Sequence, residues 1–237
     1  EGSQTSNAVP LDFGIVEEDR IVPVLENLIQ NIEQERDGHF YTGILGTKAL
    51  INILPEYGFE DLLFQMTTEP TYPGYGFWME NNATALWEFW SGLDSHNHAM
   101  FGTIEEFFYN DLAGINAPVQ DGTETAYSHI LIEPTFLDEL DNAGASIESV
   151  RGAVSSIWER TEDGISLGIT IPVNATATVR LPVDGMEEVT LTEGGDLVWQ
   201  RDLFYDGLPG ISSGEIDRES LTIQIGSGEY LFRLTAG

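Results

Sequence analysis

Glu88 is the side chain whose neighbours in the sequence most suggest chemistry. It lies between two tryptophans in the stretch Leu-Trp-Glu-Phe-Trp, residues 86–90. Aromatic faces stack on the apolar faces of sugar rings, and carboxylates bind sugar hydroxyls, so this combination is typical of carbohydrate sites. The residue types alone equally allow the ordinary alternative, a glutamate that faces solvent from a helix end.

Two histidines follow closely, His96 and His98 in the stretch Ser-His-Asn-His. A pair of histidines two residues apart can contribute to a metal site, but such a site needs further ligands, and none lies nearby in the sequence. The alternative is that they hydrogen-bond within a loop. We therefore predict no metal site and no cofactor.

The first half of the chain has apolar residues at helical spacing, and these would form the scaffold around Glu88. The predicted helices cover residues 4–18, 21 to about 37, 49–54, 59 to about 69, and 101–112. Glycine or proline follows four of them, at Gly38, Pro55, Pro70 and Gly114, where helices commonly stop. Pro10 must then lie in a first turn or at a kink.

The second half changes to period two, which predicts strands. Apolar residues alternate with small or polar ones over 165–173 and 175–181, and again over 221–225 and 230–234, which predict a closing hairpin. Two dipeptides, Asp184-Gly185 and Gly194-Gly195, indicate turns. We predict a multidomain chain, α then β: a helical domain in residues 1–118 and an antiparallel β-sandwich in residues 119–237.

The charge of the chain is extreme, with 40 acidic against nine basic side chains and a formal net charge of −31. Such a surface repels nucleic acid and anionic membranes, so neither is a predicted partner. Acidic runs are most often ordinary solvated surface. Here the acidity covers the whole chain, which suggests as an alternative a halophilic protein, extracellular or in the cytoplasm of a high-salt organism. We expect weaker folding at low ionic strength, because salt screens the repulsion.

Three further features are absent from the sequence, and the first of them says little about the compartment. There are no cysteines, which excludes disulfides and thiolate chemistry. No apolar run reaches membrane-spanning length, and residues 1–10 lack the basic and apolar regions of a signal peptide.

Short motifs spread along nearly the whole chain resemble, in order and spacing, the C-terminal portion of the family 78 glycoside hydrolases, the α-L-rhamnosidases. The motifs are Gln4-Thr5, Asp37-Gly-His39, Thr42-Gly-Ile-Leu-Gly-Thr47, Tyr72-Pro73, Ala83-Thr-Ala-Leu-Trp-Glu-Phe-Trp90, Ser95-His-Asn-His-Ala-Met-Phe-Gly102, Asp111-Leu-Ala-Gly-Ile115, Ile171-Pro-Val-Asn174, Ala177-Thr-Val-Arg-Leu-Pro182 and Gly226-Ser-Gly-Glu-Tyr230. Each motif alone is weak, and the series together is specific.

This resemblance implies a fold and a chemistry. The fold is an (α/α)6 barrel followed by a β-sandwich, and the chemistry is inverting hydrolysis of a terminal α-L-rhamnoside, in which one carboxylic acid protonates the leaving oxygen and a second carboxylate activates water. The family's base maps onto Glu88, and a histidine of its sugar subsite maps onto His98. Trp87, Trp90 and His39 are further implied substrate-binding residues. The family often has arginine after the glutamate, where this chain has Phe89.

The resemblance covers only part of such a barrel. Twelve helices are needed, about five are predicted, and no stretch resembles the family's general-acid segment. The chain is then a fragment of a longer enzyme, pairs with itself or with a second chain that completes the barrel, or is a truncated relative without catalysis. A non-catalytic carbohydrate-binding or assembly module, or an (α/α)6 enzyme for another sugar, stay open as alternatives to a rhamnosidase.

Overall fold

The computed structural model describes residues 2–117 and 126–236, and it forms two compact units. The first unit comprises Glu1–Phe107 and the second Phe108–Gly237. The predicted order, helices first and sheets second, is confirmed. The predicted boundary between residues 118 and 119 lies outside the described residues and stays a prediction.

The first unit is helical. Its helices are α1 (Gln4–Asp12), α2 (Glu18–Gln30), α3 (Ile44–Glu56), α4 (Glu60–Thr68), α5 (Tyr75–Glu80) and α6 (Ile104–Glu106). A π-helical turn, Asn31–Glu35, extends α2, a 3₁₀ segment, Ala99–Thr103, leads into α6, and a π-helical segment, Phe107–Leu112, follows it. In the described ranges, no helix combines the length and the apolar character needed to cross a bilayer.

The predicted helix limits are correct in some places and wrong in others. The stop at Asp37 and Gly38 is confirmed, because both have left-handed backbone angles (φ 51° and 73°) and the Gly38 N–H donates to the Ile32 carbonyl at 2.9 Å. The first helix ends at Asp12 instead of residue 18, shortly before Gly14 at φ 61°. Pro10 is accommodated inside α1, near its end.

The second unit is a sandwich of two sheets. Its strands are β1 (Ile115–Asn116), β2 (His129–Ile132), β3 (Asn142–Ser149), β4 (Gly152–Thr161), β5 (Gly164–Ile171), β6 (Thr176–Pro182), β7 (Val189–Glu193), β8 (Asp196–Gln200), β9 (Leu203–Phe204), β10 (Ile211–Ile216), β11 (Ser220–Ile225) and β12 (Gly228–Ala236). One sheet has the order β1-β2-β6-β11-β10 and the other β3-β4-β5-β12-β7-β8-β9. Apolar side chains from both sheets form one core.

The period-two prediction is confirmed at strand level. Residues of β5 alternate strictly between buried and partly exposed, as expected for a strand with one face on the core. Gly194 and Gly195 join β7 to β8, with φ of 57° and 97°, the left-handed pair that a two-residue hairpin turn requires. The β2–β6 pairing is parallel, whereas the other pairings among the described strands are antiparallel.

The predicted closing hairpin is wrong. Strand β11 pairs with β10 and β6, whereas β12 pairs with β5 and β7 in the other sheet. The link at Gly226 and Ser227 therefore crosses from one sheet to the other. The sequence pattern could not reveal this, because two strands that face each other across a core show the same alternation as two paired neighbours.

Candidate active site

The segment that carries Glu88 is an irregular loop, residues 81–98, between α5 and the 3₁₀ segment. The loop folds back on itself through two backbone hydrogen bonds. The Glu88 N–H donates to the Ser95 carbonyl at 2.8 Å, and the His98 N–H donates to the Leu86 carbonyl at 2.9 Å. This pairing places the side chains of Glu88 and His98 next to each other.

The two oxygens of the Glu88 carboxylate differ in their hydrogen bonding. The Ser95 N–H donates to Oε2 at 3.2 Å, and His98 Nδ1 lies 3.8 Å from the same oxygen. About a third of each side chain is exposed, 33% for Glu88 and 34% for His98. Among the described residues no group hydrogen-bonds to Oε1. A carboxylate in this arrangement is oriented by the protein and still has an oxygen for a water molecule or a hydroxyl.

An aromatic cluster packs around Trp90 at the end of the Trp-Glu-Phe-Trp stretch. Trp90 is 7% exposed, its Nε1–H donates to the Thr42 carbonyl at 2.8 Å, and its own carbonyl accepts from Trp78 Nε1 at 2.9 Å. Its ring packs against four others, those of Phe40, Tyr75, Trp78 and Phe101. Trp90 therefore anchors the loop to the core of the helical unit.

Tyr75 belongs to the same cluster and is a fixed neutral donor. Its hydroxyl donates to the Phe101 carbonyl at 2.7 Å. Burial raises the pKa of the Tyr75 phenol far above its usual range, because the charged form would lose its hydration. We assign Tyr75 a structural role.

Trp87 is covered on its ring by the turn of the same loop. It is 9% exposed, and the imidazole of His96 stacks on it with ring centroids 4.7 Å apart and planes 18° apart. Gly92 lies so close that a Cβ there would meet the indole at 2.8 Å. Trp87 thus offers only a small part of its surface to a ligand.

His39 lies in a separate hydrogen-bond network. Its Nδ1 is 2.9 Å from the Arg36 carbonyl, and its Nε2 is 2.7 Å from Thr71 Oγ1 and 3.9 Å from a Glu69 oxygen. The Thr71 hydroxyl and N–H bind Glu69, and these hydrogen bonds, more than the nearby His39, lower the pKa of Glu69. Both ring nitrogens of His39 therefore have protein partners.

A buried glutamine fixes the backbone on both sides of Phe40. Gln4 is fully buried, its Nε2 donates to the His39 carbonyl at 2.9 Å, and its Oε1 accepts from the Tyr41 N–H at 2.7 Å. Since Phe40 stacks on Trp90 with ring centroids 5.4 Å apart, Gln4 supports the aromatic cluster from the first helix.

The structure thus brings together some of the sequence-predicted site residues and not others. Glu88 and His98 are in contact, and Trp87 adjoins them. Trp90 lies in the core, and the contacts of His39 run to Thr71 and Glu69. No sequence signal marks the Ser95 N–H as a ligand of Glu88, because it is a backbone group. In the two described ranges, no three His, Asp or Glu side chains come close enough together to hold a metal ion.

The concavities of the described residues include two that lie away from Glu88. One, of about 400 Å³, runs along α2 and has an apolar floor made by Val22, Leu25, Ile29 and Phe59. Val22 is 61% exposed although it lies on a strongly amphipathic helix. The other, of about 460 Å³, lies in the sandwich and is lined mainly by charged side chains.

Comparison with known proteins identifies the family. Residues 1–112 match the bacterial alpha-L-rhamnosidase 6 hairpin glycosidase domain, and residues 114–196 match the bacterial alpha-L-rhamnosidase C-terminal domain. The chain belongs to the bacterial α-L-rhamnosidase family. The resemblance noted from the motifs is confirmed, and so is the fold class, part of a six-hairpin helical domain followed by a β-sandwich.

Individual relatives of the rhamnosidase family agree with this assignment. An alpha-L-rhamnosidase of Formosa agariphila is 32% identical over 198 residues, which are 79% of this chain and 21% of that protein. The structure of alpha-L-rhamnosidase from Dictyoglumus thermophilum superposes with a TM-score of 0.86 at 30% identity, over 99% of this chain and 25% of that one. The structure of a Streptomyces avermitilis alpha-L-rhamnosidase complexed with L-rhamnose gives 0.81 at 25% identity, over 98% and 21%. The chain therefore spans a fifth to a quarter of these relatives' length.

Proposed function

We propose that this chain carries the general-base half of an inverting α-L-rhamnoside hydrolase site, with Glu88 as the base. The observation that supports this most directly is the asymmetric environment of its carboxylate. Oε2 is held by the Ser95 N–H at 3.2 Å, while Oε1 has no hydrogen-bond partner among the described residues. An inverting glycosidase needs a fixed carboxylate that can hold one water molecule and take its proton.

His98 is the proposed sugar-binding partner of Glu88. Its Nδ1 lies 3.8 Å from Glu88 Oε2, which is longer than a hydrogen bond. Among the described residues no group hydrogen-bonds to its Nε2, which can therefore bind a sugar hydroxyl. Trp87 contributes only the small exposed part of its indole to the proposed sugar site. We assign Trp90 and His39 supporting positions, since Trp90 is buried and both nitrogens of His39 already have partners.

The proposed substrate is a terminal α-L-rhamnoside in an oligosaccharide or glycoside. Two findings support this class: the family to which the chain belongs, and a relative whose structure is complexed with L-rhamnose. In such a mechanism a second carboxyl group, about 6.5–9.5 Å from the base, protonates the leaving oxygen. The sequence offers no segment that resembles the family's acid, so we propose that this group comes from outside residues 1–237.

A partner that completes the barrel is part of the same proposal. The apolar floor along α2, with Val22 61% exposed, is the kind of surface that the rest of a longer polypeptide, a second polypeptide or a second copy of this chain would cover. The mass of the chain in solution, and the presence or absence of a co-purifying polypeptide, tests this part. A folded monomer that is active alone would contradict it.

The test of the base is Glu88→Gln. In a complete enzyme that contains residues 1–237, and with an aryl α-L-rhamnoside as substrate, we expect turnover to fall by roughly 10²–10⁴, because the water is no longer deprotonated. Glu80→Gln is the matched control, since Glu80 is an exposed acid at the end of α5 in the same unit. Near-normal turnover by Glu88→Gln would refute the assignment.

The second candidate is a non-catalytic carbohydrate-binding module. It is favoured by the observation that no segment of residues 1–237 resembles the family's general acid. Calorimetry with L-rhamnose and an aryl-rhamnoside assay on the complete barrel together separate the two candidates. Binding by a stable isolated 237-residue chain, with no hydrolysis by the complete barrel, supports the module, whereas hydrolysis by the complete barrel supports the enzyme.

A further inference from the structure

His96 ties down the turn of the loop that carries Glu88. Its ring stacks on Trp87, and its Nε2 lies 2.7 Å from the Gly92 carbonyl oxygen. A carbonyl oxygen can only accept, so Nε2 carries the hydrogen of this bond. His96 therefore connects the turn to the tryptophan that immediately precedes Glu88.

The backbone of this turn has two residues with positive φ. Gly92, at φ 74°, adopts this conformation readily, whereas Asp94, at φ 62°, lies in a region that non-glycine residues adopt uncommonly. The Gly92 N–H donates to the Phe89 carbonyl at 3.0 Å within the turn. After Asp94, the chain is held by the bonds from the Glu88 N–H to the Ser95 carbonyl and from the His98 N–H to the Leu86 carbonyl, and the contacts of His96 add to these.

Ser95 is the residue that depends on this turn. Its carbonyl accepts the Glu88 N–H at 2.8 Å, and its own N–H donates to Glu88 Oε2 at 3.2 Å. It lies between Asp94 and His96, so the placement of the His96 ring limits where the Ser95 peptides can point. A change at His96 thus reaches the Glu88 carboxylate through one residue.

We propose that His96 is a positioning residue for Glu88. Its stack on Trp87 and its hydrogen bond to Gly92 keep the Ser95 N–H on Oε2, so that Oε1 is the oxygen left for water. The role in hydrolysis rests on the proposed function of Glu88, whereas the hold on Ser95 is a property of the chain itself and can be measured without substrate.

Three variants separate the two contacts of His96. His96→Phe keeps a ring for the stack and loses the donor, His96→Gln keeps a donor and loses the ring, and His96→Ala loses both. Leu93→Ala is the matched control, because Leu93 lies in the same turn and is 66% exposed.

The readout is amide hydrogen exchange in the 237-residue chain, followed by NMR. In His96→Ala we expect the Ser95 and Glu88 amides to exchange about fivefold faster, as for the loss of one net hydrogen bond. The Phe and Gln variants lie between His96→Ala and the wild type, and Leu93→Ala matches the wild type. The Trp90 indole N–H, which donates to Thr42, reports on the fold and should be unchanged throughout.

Two results would overturn the proposal. Unchanged exchange at Ser95 in His96→Ala would mean that the turn holds itself. Equally faster exchange at the Trp90 indole would mean that His96 stabilises the unit generally and does not position Glu88. Failure of the proposed function is distinguishable from both, since it is judged by Glu88→Gln turnover and leaves the exchange results standing as evidence for the hold.

Discussion

Two buried indoles show how differently the two units hold their residues. In the sandwich, Trp158 is fully buried on β4 and donates to the Leu112 carbonyl at 2.7 Å. In the helical unit, Trp90 is almost as buried and donates to the Thr42 carbonyl at 2.8 Å. The side-chain contacts are alike, but β4 is paired along both edges, whereas Trp90 lies in a loop without regular structure.

This difference shows that the position of Glu88 depends on tertiary contacts of its loop more than the β4 residues depend on theirs. Backbone ladders would keep the β4 residues in place after a local side-chain change. The Glu88 loop has a few backbone hydrogen bonds of its own, among them those at Glu88, Gly92 and His98, and it also relies on Trp90, Trp87 and His96. We therefore expect changes in the loop's supporting side chains to affect the site more than equal changes in the sandwich affect its strands.

Trp90→Ala should have the largest effect. Removing a buried tryptophan costs roughly 3–5 kcal/mol of unfolding free energy, and the loop also loses its anchor to Thr42. Denaturant unfolding followed by amide NMR should show a less stable helical unit and faster exchange at Glu88 and His98. Trp158→Ala should cost a similar free energy while β4 keeps its protected amides, and equal loss of protection in both variants would break the comparison.

Gly92→Ala tests the contact between the turn and Trp87. Alanine at φ 74° is strained, and its Cβ would also meet the indole at 2.8 Å. Gly58→Ala is the matched control, because Gly58 has φ 78° and nothing within 4 Å of the added Cβ. We expect backbone strain to lower the free energy of unfolding by about 1–2 kcal/mol in both variants. The clash with the indole should lower it by at least about 1 kcal/mol more in Gly92→Ala. Equal thermal shifts would show that the indole moves aside.

Asp217 tests a local contact in the sandwich. The N–H groups of Glu219 and Ser220 donate to its carboxylate and lower the pKa of Asp217. A lowered folded-state pKa means that this stabilisation is present at neutral pH and is lost as the pH falls through that pKa. Asp217→Asn should therefore be less stable at neutral pH, with the difference vanishing in acid.

Asp196→Asn is the control for this prediction. It also removes one negative charge from the sandwich, where charge removal alone relieves repulsion. Thermal unfolding over a pH series compares the two variants. A constant difference between Asp217→Asn and wild type at all pH values would contradict the prediction.

Salt should have the smallest effect on the difference in stability between the two units, although it affects the stability of both. Residues 1–107 contain 18 acidic and three basic side chains, and residues 108–237 contain 22 and six, so the net charges are −15 and −16. Added salt should stabilise both units to nearly the same degree through screening. Unfolding monitored separately for each unit, from low to high potassium chloride, would contradict this if only one responded.

The sequence allowed prediction of the elements whose pattern is local. The stop at Asp37 and Gly38, the turn at Gly194 and Gly195 and the alternation along β5 follow from backbone preference and periodicity. Helix α5 was missed, since its six residues are too few to show a helical period and include Gly76. The pairing of β11 and β12 was predicted wrongly, because alternation does not say which sheet a strand joins.

For the candidate site, the sequence indicates which residues to consider but not how they are arranged. Family motifs indicate Glu88 and His98, and the structure brings these two within 3.8 Å. The sequence did not show how far Trp87, Trp90 and His39 are accessible to a ligand, because accessibility depends on their burial and their hydrogen-bond partners. Gln4 is a polar residue that a core rarely takes, and only its two bonds to the His39–Tyr41 backbone explain it.

The position of β12 has a consequence for how the protein is made. This strand lies between β5 and β7, so it fills the middle of the seven-stranded sheet although it is the last of the described strands in the chain. A nascent polypeptide that has emerged only as far as β11 holds two half-sheets with unpaired edges, which invite association with other chains. We expect the sandwich to acquire protease resistance only after synthesis has passed Ala236, whereas ribosome-bound chains arrested earlier remain sensitive.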